Sequence, residues 1–176
     1  TISLRDYFGR LQLEASQDPL TGAINRRGLS LRLNSRLDEL NWQQPLSLIL
    51  LDLDHFKALN DQFGHTIGDT VLAEFVRLLR IHLRGADNVY RYGGEEFVVL
   101  VDADEDKALQ IAEKLRTAIA NHELVPDVDV TVSAGVAQAV AMDTEQSLIN
   151  RADQALYRAK AAGRNYSAQA DATEQA

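Results

Sequence analysis

Leu46-Ser47-Leu48-Ile49-Leu50-Leu51 is a near-continuous apolar run, the pattern of a strand buried at the centre of a sheet. It ends in Asp52-Leu53-Asp54. Side chains alternate along a strand, so Asp52 and Asp54 share a face. Acids at the end of a buried strand are costly unless paired or bound to a cation. A fold built on this strand must therefore give its carboxylates a partner. Directly afterwards His55-Phe56-Lys57-Ala58-Leu59-Asn60 begins a helical pattern. The free N–H groups of a helix start can hold phosphate.

A second acidic element lies downstream. Arg91-Tyr92-Gly93-Gly94-Glu95-Glu96-Phe97 separates an irregular strand, 88–92, from the β-formers Phe97-Val98-Val99-Leu100-Val101. This reads as a β-hairpin with acids at its turn. Gly-Gly tolerates positive φ without steric cost, and a bare tip admits a bulky ligand. Alone, such a turn is more often merely solvated, and its weight comes from context. Here two acid clusters, Asp52 and Glu95/Glu96, end neighbouring β elements, and they converge if those elements pair. Hard oxygen ligands of this kind suit Mg²⁺, which usually takes one or two carboxylates plus substrate phosphates. The design is the one expected of a phosphoryl or nucleotidyl transferase.

On these motifs the chain resembles the GGDEF family of diguanylate cyclase domains, with Gly93-Gly94-Glu95-Glu96-Phe97 as the Glu-containing form of the signature. Asp18-Pro19-Leu20-Thr21-Gly22-Ala23-Ile24-Asn25-Arg26-Arg27 is similar to the family's leading motif, with Ala23 where leucine is more usual. The segments 52–57, 60–69, 131–136, 151–153 and 160–165 match further family motifs in order, over about Asp18 to Tyr166. The resemblance implies an α/β fold of the α+β type. Its central, mostly antiparallel sheet is surrounded by helices, as in nucleotide cyclase and polymerase palm domains. It also implies condensation of two GTP into cyclic di-GMP and two pyrophosphates, by a homodimer with Mg²⁺ (Mn²⁺ as a possible substitute).

The resemblance assigns roles to particular residues. Asp52, the backbone carbonyl of Leu53 and Glu95 are the expected metal ligands. Glu95 or Glu96 accepts the proton of the attacking 3′-hydroxyl, and the sequence leaves open which. Asn60, His65 and Asp69 are the expected guanine site. A carboxylate accepts from the N1–H and exocyclic amine of guanine, and an amide both donates and accepts. Adenine would leave such groups unpaired. Lys57, Lys160 and Arg164 are the expected phosphate cations, Lys57 also stabilising transition-state charge. Backbone N–H groups near His55 and Phe56 are expected to cradle the phosphates. Arg84 and Asp87 resemble the family's RxxD product-binding motif, with Lys114 as an assistant, which implies inhibition by the product. The bland alternatives are helix caps at Asn60 and Asp69, dipole-complementing cations at Lys160 and Arg164, and a surface ion pair at Arg84 and Asp87. The rival functions are a catalytically silent cyclic di-GMP receptor or an interaction module on the same fold. A cyclase using ATP fits the Asn60/Asp69 pair less well.

Charge and composition set outer bounds. A net charge of −8 argues against non-specific nucleic-acid binding, which needs basic surface. A divalent metal and a few placed cations can still hold a triphosphate. Cysteine is absent, which excludes disulfides and thiolate metal sites. No run is apolar enough to span a membrane. Cytoplasmic placement is expected for this domain, with no membrane contact of its own, even if the full-length protein is membrane-anchored. The chain starts at Thr1 rather than Met, as expected of a piece of a longer protein with an N-terminal sensory or regulatory region.

Three segments are expected. Residues 1–17 form a linker helix with a heptad-like stripe of Leu4, Phe8, Leu11 and Ala15. Residues 18–166 form the catalytic domain, and 167–176 a flexible tail. Further helices are expected at 25–40, 69–83, 107–121 and 147–162, the last capped by Gly163. Strands are expected at 46–52, 88–92, 96–102 and 129–138.

Overall fold

The structure is a computed structural model, and it describes residues 3–6, 16–40, 43–85 and 89–171. Most of the expected linker helix, Asp87 of the RxxD motif and residues 172–176 lie outside the described residues.

The apolar run becomes strand β1 (Ser47–Leu53), and all its residues are buried. The other strands are β2 (Val89–Arg91), β3 (Glu96–Val101), β4 (Val132–Gln138) and β5 (Ser167–Gln169). They form one sheet of order β2-β3-β1-β4-β5. β1 is antiparallel to β3 and β4, and β2 to β3, while β4 and β5 are parallel. The expected mostly antiparallel sheet is therefore present.

Each face of β1 feeds its own core, as period-two alternation requires. Ile49, Leu51 and Leu53 pack with Phe75, Val76 and Leu115, while Leu48 and Leu50 pack with Leu29, Leu33 and Leu148. The flanking helices are α1 (Arg26–Asp38), α2 (Phe56–Phe63), α3 (His65–His82), α4 (Glu105–Ala120) and α5 (Glu145–Ala161), with α2 adding Phe56 and Leu59 to the first core. Their starts are written in the sequence. Asn25, Asp104 and Thr144 each accept a backbone N–H, and Thr144 and Ser147 cap one another reciprocally.

Two expectations are corrected. The helix placed at 69–83 begins at His65, because Gly64 at φ +88 breaks α2 and lets the chain restart at once. Asp69 therefore lies within α3 and does not cap it. The start of the expected tail is also not frayed. Ser167–Gln169 form β5, with Tyr166 carbonyl accepting from Ala134 N–H at 2.9 Å and Ala170 N–H donating to Val136 carbonyl at 2.8 Å. The open edge of β4 supplies these bonds, and a polar composition gives no sign of a waiting edge.

Candidate active site

The acids converge because β1 and β3 pair. Asp52 faces Glu96 across the antiparallel ladder, and Leu53 N–H donates to Glu95 carbonyl at 3.3 Å. The Gly-Gly tip works differently from the sequence expectation. Neither Gly93 nor Gly94 has positive φ. Gly93 lies close under Glu96, where a Cβ would stand 2.9 Å from the movable Oε2 end of that side chain. A Cβ on Gly94 would meet nothing, so the tip is open.

Arg91 braces that tip from behind. Its guanidinium donates to Gly94 carbonyl at 2.8 Å and Gly93 carbonyl at 3.3 Å, and to both Asp18 oxygens at 3.0 Å. Asp18 in turn accepts from Thr21 N–H and hydroxyl. Burial pushes the Asp18 carboxyl up, but Thr21 and Arg91 outweigh burial and hold it below its ordinary value. The sequence contained this pair without revealing it, because the partners are 73 residues apart.

Asp52 and Glu96 are in the opposite electrostatic state. Burial pushes Asp52 above the usual carboxylate range, and Lys160 Nζ, 2.6 Å from Asp52 Oδ2, offsets only part of it. Glu96 is pushed up by burial first and then by the Asp52 charge opposite. Two under-neutralised carboxylates on paired strands favour a cation between them.

Asp52, Leu53, Asp54, His55, Phe56, Lys57, Glu95, Lys160 and Arg164 line one cavity of about 180 Å³. Every expected metal ligand and phosphate residue is thus in one place, with Glu96 beside it on β3. The volume suits a phosphate chain with its cations rather than a whole nucleotide, for which pockets of roughly 300 Å³ and more are usual. Phe56 is a core side chain, so only its backbone can face phosphate. His55, at φ 55, precedes α2 and carries the chain from the metal strand into that helix start.

The donor set fits Mg²⁺. Among the described residues no three His, Cys, Asp or Glu side chains form a complete metal cage. A hard cation that relies on one or two carboxylates, a backbone carbonyl and substrate oxygens does not require one.

The expected guanine residues lie to one side, on α2 and α3. Asn60 packs on Gly68, where a Cβ would stand 1.8 Å from Asn60 Oδ1. That Oδ1 is buried and has no hydrogen-bond partner among the described residues, a costly state that a ligand donor would relieve. Asp69 follows Gly68 in α3, and both Asp69 and His65 are exposed. None of the three lines the 180 Å³ cavity.

Arg84 borders a separate and larger cavity of about 700 Å³, shared with His82, Asp102, Lys107, Gln110 and Lys114. Lys114 Nζ lies 3.5 Å from His82 carbonyl. This cavity has nothing to do with the paired acids.

The comparisons agree with this geometry. The family described as "Diguanylate cyclase, GGDEF domain" matches residues 15–166. Diguanylate cyclase DgcP of Pseudomonas aeruginosa is 45% identical over 157 residues, covering 86% of this chain and 23% of that protein. The coiled coil and GGDEF domain of DgcB from Caulobacter crescentus, solved in complex with c-di-GMP, superposes with a TM-score of 0.86. It is 28% identical, covering 95% of this chain and 92% of that one. An active GGEEF domain of a diguanylate cyclase from Vibrio cholerae gives a TM-score of 0.74 at 35% identity, covering 84% and 97%. The chain spans from 23% to 54% of the length of the first curated relatives it matches.

Proposed function

The chain belongs to the GGDEF family of diguanylate cyclase domains, and from that premise we propose that it condenses two GTP molecules into cyclic di-GMP. In each half-reaction the 3′-hydroxyl of one GTP attacks the α-phosphorus of the other. A new P–O bond forms, the bond to pyrophosphate breaks, and the hydroxyl proton leaves to a carboxylate. One domain offers one GTP, and the product is twofold symmetric, so two domains face each other.

The observation that carries this reading is Asp52 opposite Glu96 beside a cavity that also holds Lys57, Lys160 and Arg164. Asp52, Glu95 and the Leu53 carbonyl hold Mg²⁺, which when bound polarises the phosphate and lowers the pKa of the attacking hydroxyl. Glu96, opposite Asp52 and pushed up by burial, is suited to accept that proton, since a base works best with a pKa nearer the working pH. Lys57, Lys160 and Arg164 bind the triphosphate, with backbone N–H groups at His55 and Phe56. Lys160 both donates to Asp52 and lines the cavity, so it would serve the acid strand and a bound phosphate alike. Asn60 and Asp69, with His65 at the rim, read guanine, and the unpartnered Asn60 oxygen supports this.

Arg84, with Asp87, binds the product and inhibits. The basic lining of the 700 Å³ cavity supports an anionic ligand there. The same cavity would serve a catalytically silent cyclic di-GMP receptor. That alternative loses ground because the acids, cations and base-reading residues are all present. Among the described residues no helix is long and apolar enough to cross a membrane, and we place the domain in the cytoplasm under an N-terminal regulatory region.

The test is incubation with GTP, Mg²⁺ and pyrophosphatase, with product read by mass-resolved chromatography and Glu95→Gln as control. Cyclic di-GMP that depends on Glu95 and rises faster than linearly with protein is the expected result. No product at any concentration, with cyclic di-GMP bound at Arg84, would mean a product-locked enzyme or a receptor, and stripping the nucleotide and repeating with Arg84→Ala separates the two.

A further inference from the structure

Asp54 stands two residues from Asp52, yet the proposed chemistry gives it no task. Its surroundings do. It is 8% exposed, and both oxygens are engaged. Oδ1 accepts from Ser133 Oγ at 2.7 Å, and Oδ2 accepts from Thr131 Oγ1 at 2.8 Å and from Asn165 backbone N–H at 2.9 Å. Its own N–H donates to Thr131 carbonyl at 2.9 Å. These donors come from two places: the start of β4 with the residue before it, and the turn that leaves α5.

That turn is an unusual piece of backbone. Gly163, Arg164 and Asn165 have φ of 116, 64 and 44 in succession. Arginine rarely adopts the left-handed region, and such residues persist only where surrounding contacts over-determine them. Two outside ties do so here. One is Asp54 on the Asn165 N–H. The other is Arg116 of α4, which donates to Asn165 Oδ1 at 2.9 Å and Asn165 carbonyl at 3.3 Å. Arg116 is itself held by Glu113 at 3.0 and 2.9 Å. The residue so constrained, Arg164, lines the cavity with Asp52, Lys57 and Lys160. Released to a right-handed course, the same turn would send Arg164 elsewhere.

We infer that Asp54 is a positioning residue: with Arg116 as a second tie, it holds the 163–165 turn in its left-handed course and so aims Arg164 at the phosphate end of the cavity. Asp54 borders the same cavity, but its oxygens are taken by Thr131, Ser133 and Asn165 and so are not spent on metal or substrate. The inference rests on the proposed function only in taking the cavity's ligand to be a nucleoside triphosphate.

The test uses 3′-deoxy-GTP with Mg²⁺, which lacks the attacking hydroxyl, together with 3′-deoxyguanosine and inorganic tripolyphosphate, all by calorimetry. Asp54→Ala and Arg116→Leu are each expected to weaken 3′-deoxy-GTP and tripolyphosphate about tenfold, the effect of one mis-aimed charge-assisted contact. 3′-Deoxyguanosine binding stays unchanged. On an Arg164→Ala background neither substitution weakens binding further. Asp54→Asn, which keeps an acceptor for the Asn165 N–H, recovers most of the loss. In turnover, KM for GTP rises more than kcat falls.

An Asp54→Asn variant as weak as Asp54→Ala would make Asp54 a metal or substrate ligand and overturn the inference. So would additivity with Arg164→Ala. If Asp54→Ala does not fold, Arg116→Leu, which lies outside the cavity, decides by the same comparison. Wild type that binds both phosphate probes but forms no cyclic di-GMP overturns the proposed function and leaves the inference supported if the cycle is non-additive. Wild type that binds neither probe overturns both.

Discussion

The two ends of β1 both bury charge, and they handle it in opposite ways. At the Ser47 end, Arg151 is 6% exposed. It pairs with Asp143 and donates to Gln138 carbonyl at 3.0 Å. Asp143 also accepts from Val140 N–H and Ser147 Oγ, and the Gln138 side chain accepts from Glu105 N–H. Among the described residues, Glu105 Oε1 is the one buried side-chain atom of this cluster without a hydrogen-bond partner. At the Asp52 end, Asp52 faces Glu96, both are pushed up, and Lys160 is the cation bonded to Asp52. One end spends its donors internally, whereas the other keeps acceptors in hand. Burial alone therefore does not mark a functional acid. The mark is burial with acceptors unspent beside a cavity that cations already line.

Removing an acid at the Asp52 end breaks this comparison most sharply. Asp52→Asn or Glu96→Gln is expected to lower cyclic di-GMP formation by about 10²–10⁴-fold. The melting temperature of Glu96→Gln should hold or rise, because a repelled charge is removed. Activity assays and thermal unfolding on the same samples check both halves, and a large loss of stability would make these acids structural.

Arg151→Leu probes the other end. It strands Asp143 without its cation and should cost about 3–5 kcal/mol, the usual penalty for breaking a buried pair from one side. Denaturant titration measures it. Turnover per folded molecule should stay within about twofold, because nothing in that cluster lines the Asp52 cavity. Gly68→Ala is a smaller intervention. Its Cβ displaces the Asn60 amide, and KM for GTP is expected to rise about tenfold, near 1.4 kcal/mol, with kcat little changed. An unchanged KM would remove Asn60 from base recognition.

The mildest effects are in pH. Glu105 is raised, by burial first and against Arg151. It therefore binds a proton more readily folded than unfolded, and its charged form costs stability above its folded pKa. That cost disappears as pH falls through the folded pKa toward the ordinary value of 4.5. Glu105→Gln should stabilise near neutral pH and do nothing well below 4.5. Asp18 has the opposite sign. Its contribution is present above its ordinary 3.8 and is lost as pH falls through the lowered folded value. Asp18→Asn should destabilise near neutral pH and flatten the acid-side loss. Melting temperatures of the two variants, taken relative to wild type, should therefore lie on opposite sides near neutral pH and converge as pH falls.

Much of this was legible from the chain. A buried strand ending in Asp52, a hairpin carrying Glu95 and Glu96, and cations at 57, 160 and 164 followed from local pattern and motif order, and the cavity contains them. Local rules misread what depends on distant partners. The Gly-Gly tip was read as a turn that can take positive φ, whereas neither glycine does so and Gly93 instead lies against Glu96, three residues on. The β5 segment looked like a tail because its polar, small residues gain their order from the edge of β4.

The amino-acid sequence by itself determined which elements form and which chemistry they carry, because periodicity, caps and acid spacing are local properties. Only the tertiary structure decided which carboxylates stay unspent. Asp52 and Asp54 are two residues apart and identical in kind. One faces Glu96 at a cavity, while the other is consumed by Thr131, Ser133 and Asn165. Their fates differ because distant donors occupy both oxygens of Asp54, from 77 to 111 residues away, whereas at Asp52 Lys160 bonds Oδ2 and leaves the carboxyl raised.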